Sequence, residues 1–226
     1  MRARTRVWIR GAGLLLAAFA TGCARSDASW EEDLRSPDPH ARGLAAIALA
    51  MQAAADSPAF LPVLLETIDH PGAGLEQEAA HALVLSGRHH IDALVDALVR
   101  EPLMSDDRRG AIQNALVSSG PGAAPLLTAR LATDARELGP VLGEVLIGLG
   151  ESSAPPLAEL VGDGQADPNL RRFAAFVLLK LGPRAGAARP ALEAAATGPD
   201  PELAEVARQA LRALDSRRSS GRGGPR

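Results

Sequence analysis

Five histidines are the side chains in this sequence with the ligand chemistry that metals prefer. His81 falls within a predicted helix, whereas His89 and His90 fall in the turn that follows Gly87. The four-residue spacing that would place two imidazoles on one helix face is absent, and no carboxylate completes a recognisable ligand pattern. We therefore predict exposed turn histidines and no metal site. The remaining two histidines are His40 and His70.

Residues for covalent or phosphate chemistry do not form a recognisable set either. The Gly-x-Ser-x-Gly motif does not occur, and Ser118-Ser119-Gly120 reads as the end of a helix. A phosphate-binding loop would follow a strand, and the sequence predicts no strand. We expect no catalytic residues, no cofactor and no enzymatic activity.

The single cysteine, Cys23, cannot form an internal disulfide. It follows a basic start with four arginines, an apolar run over 11–20, and the small residues Thr21 and Gly22, which together predict a secretory signal peptide over 1–22. The apolar run is too short to span a bilayer.

Ala20-Thr21-Gly22-Cys23 resembles the lipobox of bacterial lipoproteins. The resemblance implies cleavage before Cys23, lipidation of its thiol, and anchoring to a membrane through several acyl chains. Because Ala24 follows rather than Asp, the enteric rule implies the periplasmic side of the outer membrane. Residues 23–33 would then be the lipidated cysteine and a polar tether. The alternatives are an ordinary signal peptide and an uncleaved anchor.

Charge is distributed unevenly along the chain. The formal net charge is −3, but 1–22 and 216–226 each carry four arginines and no acid. Removing these eight leaves 16 basic against 27 acidic side chains in the body. An acidic body with only 3% aromatic residues disfavours nucleic-acid binding, which needs phosphate neutralisation and base stacking.

The elements that would position any site come from an internal repeat. Leucines recur at spacings of 34, 33, 30, 32 and 33 residues, and four of them precede a glycine by four positions. Asp, Ser or Pro opens each unit, as at a helix start, and the glycine reads as a left-handed helix end. The repeating leucines are Leu49, Leu83, Leu116, Leu146, Leu178 and Leu211.

Segments such as SPDPHARGLAAIALA and DPNLRRFAAFVLLKLG resemble HEAT repeats, particularly the short bacterial kind found in phycobilisome-lyase-like proteins. The resemblance implies an all-α fold in which about six helix pairs stack as an α-solenoid over 34–215. The fourth unit carries Pro140 and Gly143 inside its first helix, where we expect a kink or a change in superhelical curvature. Residues 216–226 lack apolar side chains and are predicted to be a disordered basic tail.

Aligning the second helices of the units at their leading Pro or Leu gives a candidate binding site. The fourth position reads Asp96, Thr128, Glu159 and Glu193, and Glu66 joins them after a shift of one residue. In a solenoid these residues would line the concave face as an acidic stripe that docks a basic protein segment or divalent cations. The alternative is the ordinary polar face of an exposed amphipathic helix.

These features predict a membrane-tethered, non-enzymatic scaffold of the bacterial cell envelope that binds a protein partner on its concave face. The alternative is a lyase-like HEAT-repeat enzyme, or an enzyme accessory, that acts on a modified protein. A third possibility is a purely structural envelope protein.

Overall fold

The computed structural model describes residues 27–52, 58–69, 74–101 and 103–220. The predicted signal peptide, the lipidation site Cys23 and residues 221–226 lie outside this range. Throughout the described ranges the chain forms helices and turns, with no strand. The α-helices are α1 (Asp27–Asp33), α2 (Pro39–Met51), α3 (Leu61–Ile68), α4 (Glu76–Gly87), α5 (Ile91–Arg100), α6 (Asp106–Ser118), α7 (Ala123–Leu149), α8 (Ala154–Gly162), α9 (Pro168–Leu181), α10 (Arg189–Ala196) and α11 (Pro201–Ser220).

Short 3₁₀ segments lead into three of the second helices of the repeat. Pro58–Phe60 precedes α3, Gly150–Ser153 precedes α8, and Gly182–Ala188 precedes α10. Each segment turns the chain from a first helix or its following loop into the second helix.

Capping side chains fix the starts of four of the first helices, as the sequence predicts, whereas α4 begins after Leu75 with no side-chain cap. The Asp38 carboxylate accepts a hydrogen bond from the His40 amide at 3.1 Å, and Asp167 accepts one from Asn169 at 2.8 Å. The Ser105 hydroxyl and the Asp200 carboxylate make the corresponding bonds at α6 and α11. Each such cap stabilises its helix by about 1 kcal/mol, because it satisfies an amide that has no partner within the helix.

Glycines with a positive φ angle end three of the first helices. The φ angles of Gly120, Gly150 and Gly182 are 82°, 72° and 56°. The prediction is wrong for Gly87, which is the last residue of α4. There the chain continues through Arg88 with a φ of −60°, so a right-handed turn leads directly towards α5.

One continuous apolar core runs through the described helices from Ala46 to Leu214. Each first helix packs against the next one, so that α2 contacts α4, α4 contacts α6, α6 contacts α7, α7 contacts α9, and α9 contacts α11. Five of the six repeating leucines are buried at these contacts, and Leu211 is half-buried. No short helix pair has enough apolar surface to fold alone, so this shared core holds the helices together.

Helix α7 departs from the predicted pattern, because it joins the second helix of the third unit to the first helix of the fourth. Residues 127–138 contain neither Pro nor Gly, whereas Gly or Pro marks the turns around Gly164 and Pro199. The chain therefore has no residue there that stops a helix. It also stays helical through Pro140.

Glycines allow α7 to approach its neighbours closely. A Cβ atom at Gly143 would lie 2.9 Å from Cζ of Phe173 on α9. A Cβ atom at Gly148 would lie 2.7 Å from Cγ2 of Val117 on α6. The small residues of the fourth unit are thus explained by packing.

The first and last described helices cover the two ends of the core. Within the segment assigned to the tether, the chain is helical from Asp27, and Trp30 packs against the core. Helix α11 continues through 216–220, the first part of the segment assigned to the basic tail. Its outer face is polar, with Glu205, Arg208 and Arg212 exposed.

Candidate partner-binding site

The second helices share a common burial pattern that defines their register. Each has a buried residue in its first turn and another seven positions later, because residues at this spacing lie on one helix face. These pairs are Leu61 and Ile68 on α3, Ile91 and Leu98 on α5, Ala124 and Leu131 on α7, Ala154 and Val161 on α8, and Ala188 just before α10 with Ala195 on it.

In this register Glu66, Asp96, Glu159 and Glu193 occupy equivalent positions, each five residues after the first buried one. In the third unit, whose second helix is the first part of α7, Ala129 occupies this position. The alignment of the units by their leading Pro or Leu had placed Thr128 there. Thr128 lies one residue earlier on the buried side, only 7% exposed, and its hydroxyl has no hydrogen-bond partner. The acidic row is therefore interrupted on α7.

Arginines from neighbouring helices neutralise two members of the row. Arg42 on α2 donates to Glu66 across 2.9 Å and also donates to the carbonyl of Ser36 at 3.0 Å. Arg130 on α7 reaches back to Asp96 on α5 across 2.7 Å. Both carboxylates thus serve contacts between helices as well as facing solvent.

The other two members face solvent more freely. Glu159 is exposed on α8, and Glu193 on α10 lies 3.7 Å from Arg189. Arg189 is bound more tightly by Asp215 on α11, at 2.6 Å. The hydrogen bond from Arg189 to Asp215 raises the pKa of the guanidinium above its ordinary value, and Glu193 adds a smaller effect.

Arginines at the helix junctions are residues that the sequence reasoning missed. Arg171 Nε donates to the Val161 carbonyl at 3.0 Å, and Arg208 donates to the Ala196 carbonyl at 3.1 Å, so each satisfies the end of the preceding second helix. Arg108 pairs with Asp69 at 2.9 Å and with Glu101. The recurrence of arginine within the first helices is the signal that could have found them.

The histidines within the described ranges do not converge on a common site. His81 and His89 are exposed, whereas His90 is half-buried with its ring edge against Phe60, the two centroids 5.3 Å apart. Burial, and then the neighbouring His89, lower the pKa of His90. Across the described ranges, no group of three or more His, Cys, Asp or Glu side chains is placed to hold a metal ion.

Comparison with known protein families, characterised proteins and solved structures gives no match. None of the helices in the described part of the chain is both long enough and apolar enough to cross a membrane.

Proposed function

We propose that this chain is a non-enzymatic, protein-binding scaffold of the bacterial cell envelope, built as an α-solenoid of about six HEAT-like helix pairs. The observation that carries the proposal is the packing of each first helix on the next, from α2 to α11, around one core. Contacts limited to sequence neighbours are typical of a stack that grows in one direction. Such a stack offers partners a long surface formed by its second helices.

The acidic row on the second helices supports a protein partner over nucleic acid. Glu159 and Glu193 are exposed at equivalent positions, and the body of the chain carries an excess of acidic side chains. Negative charge of this kind attracts basic protein segments and repels phosphates.

Membrane attachment through a lipidated Cys23 is the second part of the proposal. Its support is the basic, apolar and small-residue order of 1–22 and the position of the only cysteine directly after it. The anchor would hold the scaffold on the periplasmic side, with the outer membrane favoured by Ala24.

Site-specific photo-crosslinking in cells tests the scaffold. A photoreactive residue in place of Glu159, on the second-helix face, should give a discrete adduct with a partner protein. The matched control replaces Asn114, which is exposed on the first helix α6. Equal adduct patterns at both positions, or no adduct at Glu159, would contradict binding by the second-helix face.

Two further measurements test the architecture and the anchor. Small-angle X-ray scattering should give an elongated particle, and a compact sphere would contradict the solenoid. The intact mass of membrane-extracted protein should match a chain that begins at Cys23 and carries acyl groups. A Cys23→Ser variant should lose both the added mass and the membrane association.

A further inference from the structure

The last part of the chain carries a concentration of positive charge that the scaffold function does not use. From residue 206 to residue 226 the sequence has one acidic side chain, Asp215, and six arginines. The arginines are Arg208, Arg212, Arg217, Arg218, Arg222 and Arg226. Residues 23–215 have the opposite balance, since acidic side chains outnumber basic ones there. We name residues 208–226 the basic end.

The helix that carries the basic end continues past the apolar core. Leu214 is the last residue of that core, whereas α11 continues to Ser220. Six residues of α-helix correspond to about 9 Å. Positions 217 and 218 therefore lie on the part of α11 that follows its last buried residue. Residues 221–226, which lie outside the described range, bring two of the six arginines.

Arginines already bind the acidic side chains beside the basic end. Asp215 lies 2.6 Å from Arg189 on α10, which also lies 3.7 Å from Glu193. Glu205 lies 3.0 Å from Arg208 and 3.5 Å from the guanidinium at position 212. Three carboxylates thus face seven guanidinium groups, which are that of Arg189 and the six of the basic end. The excess of positive charge remains after these ion pairs form.

We infer that the basic end binds the phosphate groups of an anionic lipid surface. Arginines close to such a surface are attracted by its negative potential. Residues 216–226 have no aromatic, leucine, isoleucine or valine side chain that could enter the acyl layer, so the contact is electrostatic and stays at the headgroups. This contact adds to the proposed attachment through Cys23 and does not require its acyl groups.

The rest of the chain argues against a nucleic acid as the anion. A strand that continued past the basic end would meet the acidic body, which repels phosphates. The basic end also has no aromatic side chain on which a base could stack. A lipid surface is flat, so it can touch the end of α11 without following the acidic body.

Co-sedimentation with lipid vesicles tests this contact. The protein is the chain from Ala24 to Arg226, which lacks the lipidation site and the apolar run over 11–20. It keeps the whole described core, which begins at Ala46, and a cooperative melting transition verifies that it is folded. It should bind vesicles of phosphatidylglycerol and phosphatidylcholine but not vesicles of phosphatidylcholine alone. Salt at about 1 M, where the Debye length is about 3 Å, should release it.

Matched variants locate the contact. Arg217→Gln combined with Arg218→Gln should weaken vesicle binding about 25-fold, since each arginine near an anionic surface contributes about fivefold. The control combines Arg88→Gln with Arg184→Gln, which removes the same charge from arginines exposed elsewhere. It should weaken binding by less than about twofold, because those arginines are not at the contact. Equal binding by the two double variants would overturn the inference.

Lysine substitutions separate charge from a specific phosphate site. Arg217→Lys combined with Arg218→Lys should keep most of the vesicle binding, because a lipid surface responds to charge and not to guanidinium geometry. A loss as large as that in the glutamine variant would contradict a lipid surface as the partner.

Three further outcomes would overturn the inference. Tighter binding to a DNA oligonucleotide than to phosphatidylglycerol vesicles would indicate a nucleic acid. A dimer in analytical ultracentrifugation that the glutamine variant converts to a monomer would indicate the acidic face of a second copy. The third outcome is no vesicle binding at low salt while the intact mass still shows acyl groups at Cys23. It would remove the second contact and leave the proposed anchor and scaffold in place.

Discussion

Two glycines on α7 give a test of how closely this helix packs against α9. Alanine in place of glycine within a helix stabilises it by about 1 kcal/mol through backbone propensity alone. At Gly139 the new Cβ would lie 3.9 Å from Cζ of Phe173, an ordinary contact. Gly139→Ala should therefore keep most of this gain and raise the free energy of unfolding.

At Gly143 the new Cβ atom would lie 2.9 Å from Cζ and 3.4 Å from Cε1 of Phe173. It would also lie 3.6 Å from Cγ2 of Val177. Overpacking of this kind costs about 1–3 kcal/mol, which equals or exceeds the propensity gain. Gly143→Ala should therefore be about 1–3 kcal/mol less stable than Gly139→Ala. In a chain of this size each kcal/mol corresponds to about 2–4 °C in melting temperature.

Urea unfolding followed by far-ultraviolet circular dichroism measures both variants against the parent protein. A second change, Phe173→Leu, removes the ring edge and should recover much of the stability lost in Gly143→Ala. If Gly143→Ala and Gly139→Ala stabilise the protein equally, α7 and α9 are not in the contact described, and the packing argument for the fourth unit is refuted.

Three further predictions concern charge and capping. Because the pKa of His90 lies below its ordinary 6.5, the unfolded chain takes up this proton first as the pH falls. The free energy of unfolding should therefore begin to decline as the pH falls through 6.5. Urea unfolding at a series of pH values should show a weaker dependence of this free energy on pH for His90→Gln. Asp200→Ala should lower the melting temperature, because it removes the α11 cap. Hydrogen bonding from the Leu203 amide, followed by the charge of Arg172, lowers the pKa of Asp200. The stabilisation of the folded state by this carboxylate is therefore fully present above pH 3.8 and is lost as the pH falls further. Asp200→Asn should keep most of the cap but lose this acid dependence. Arg130→Gln should lower the free energy of unfolding by no more than about 1 kcal/mol. A double-mutant cycle with Asp96→Asn should show a coupling energy that weakens with added salt. As the control, Arg184→Gln changes an exposed arginine and should leave the free energy of unfolding unchanged.

The features that the sequence predicted well depend on neighbours in the chain. Asp38, Ser105 and Asp167 cap helices because the amides they bind lie two or three residues away. Five of the six repeating leucines are buried because helical spacing alone places them on one face. The all-α fold follows from such local rules.

The features that the sequence did not predict depend on contacts between helices. A proline in the first helical turn does not determine which later residue faces the core, so the alignment placed Thr128 in the acidic row and overlooked Ala129. Arg42 and Arg130, which pair with Glu66 and Asp96 from neighbouring helices, lie 24 and 34 positions away in the sequence. Only the packed structure brings these charges together.

The polar outer face of α11 limits how this protein can change in length. Glu205 accepts hydrogen bonds from Arg208 and Gln209 on that face, and Arg212 lies 3.5 Å from it. These bonds and the charge of Arg208 lower the pKa of Glu205 and keep it ionised in water. Duplication of an internal unit could lengthen the chain without disturbing this helix, whereas a unit packed against its exposed face would cover Glu205, Gln209 and Arg212. We therefore expect natural or engineered longer versions to gain units in the interior.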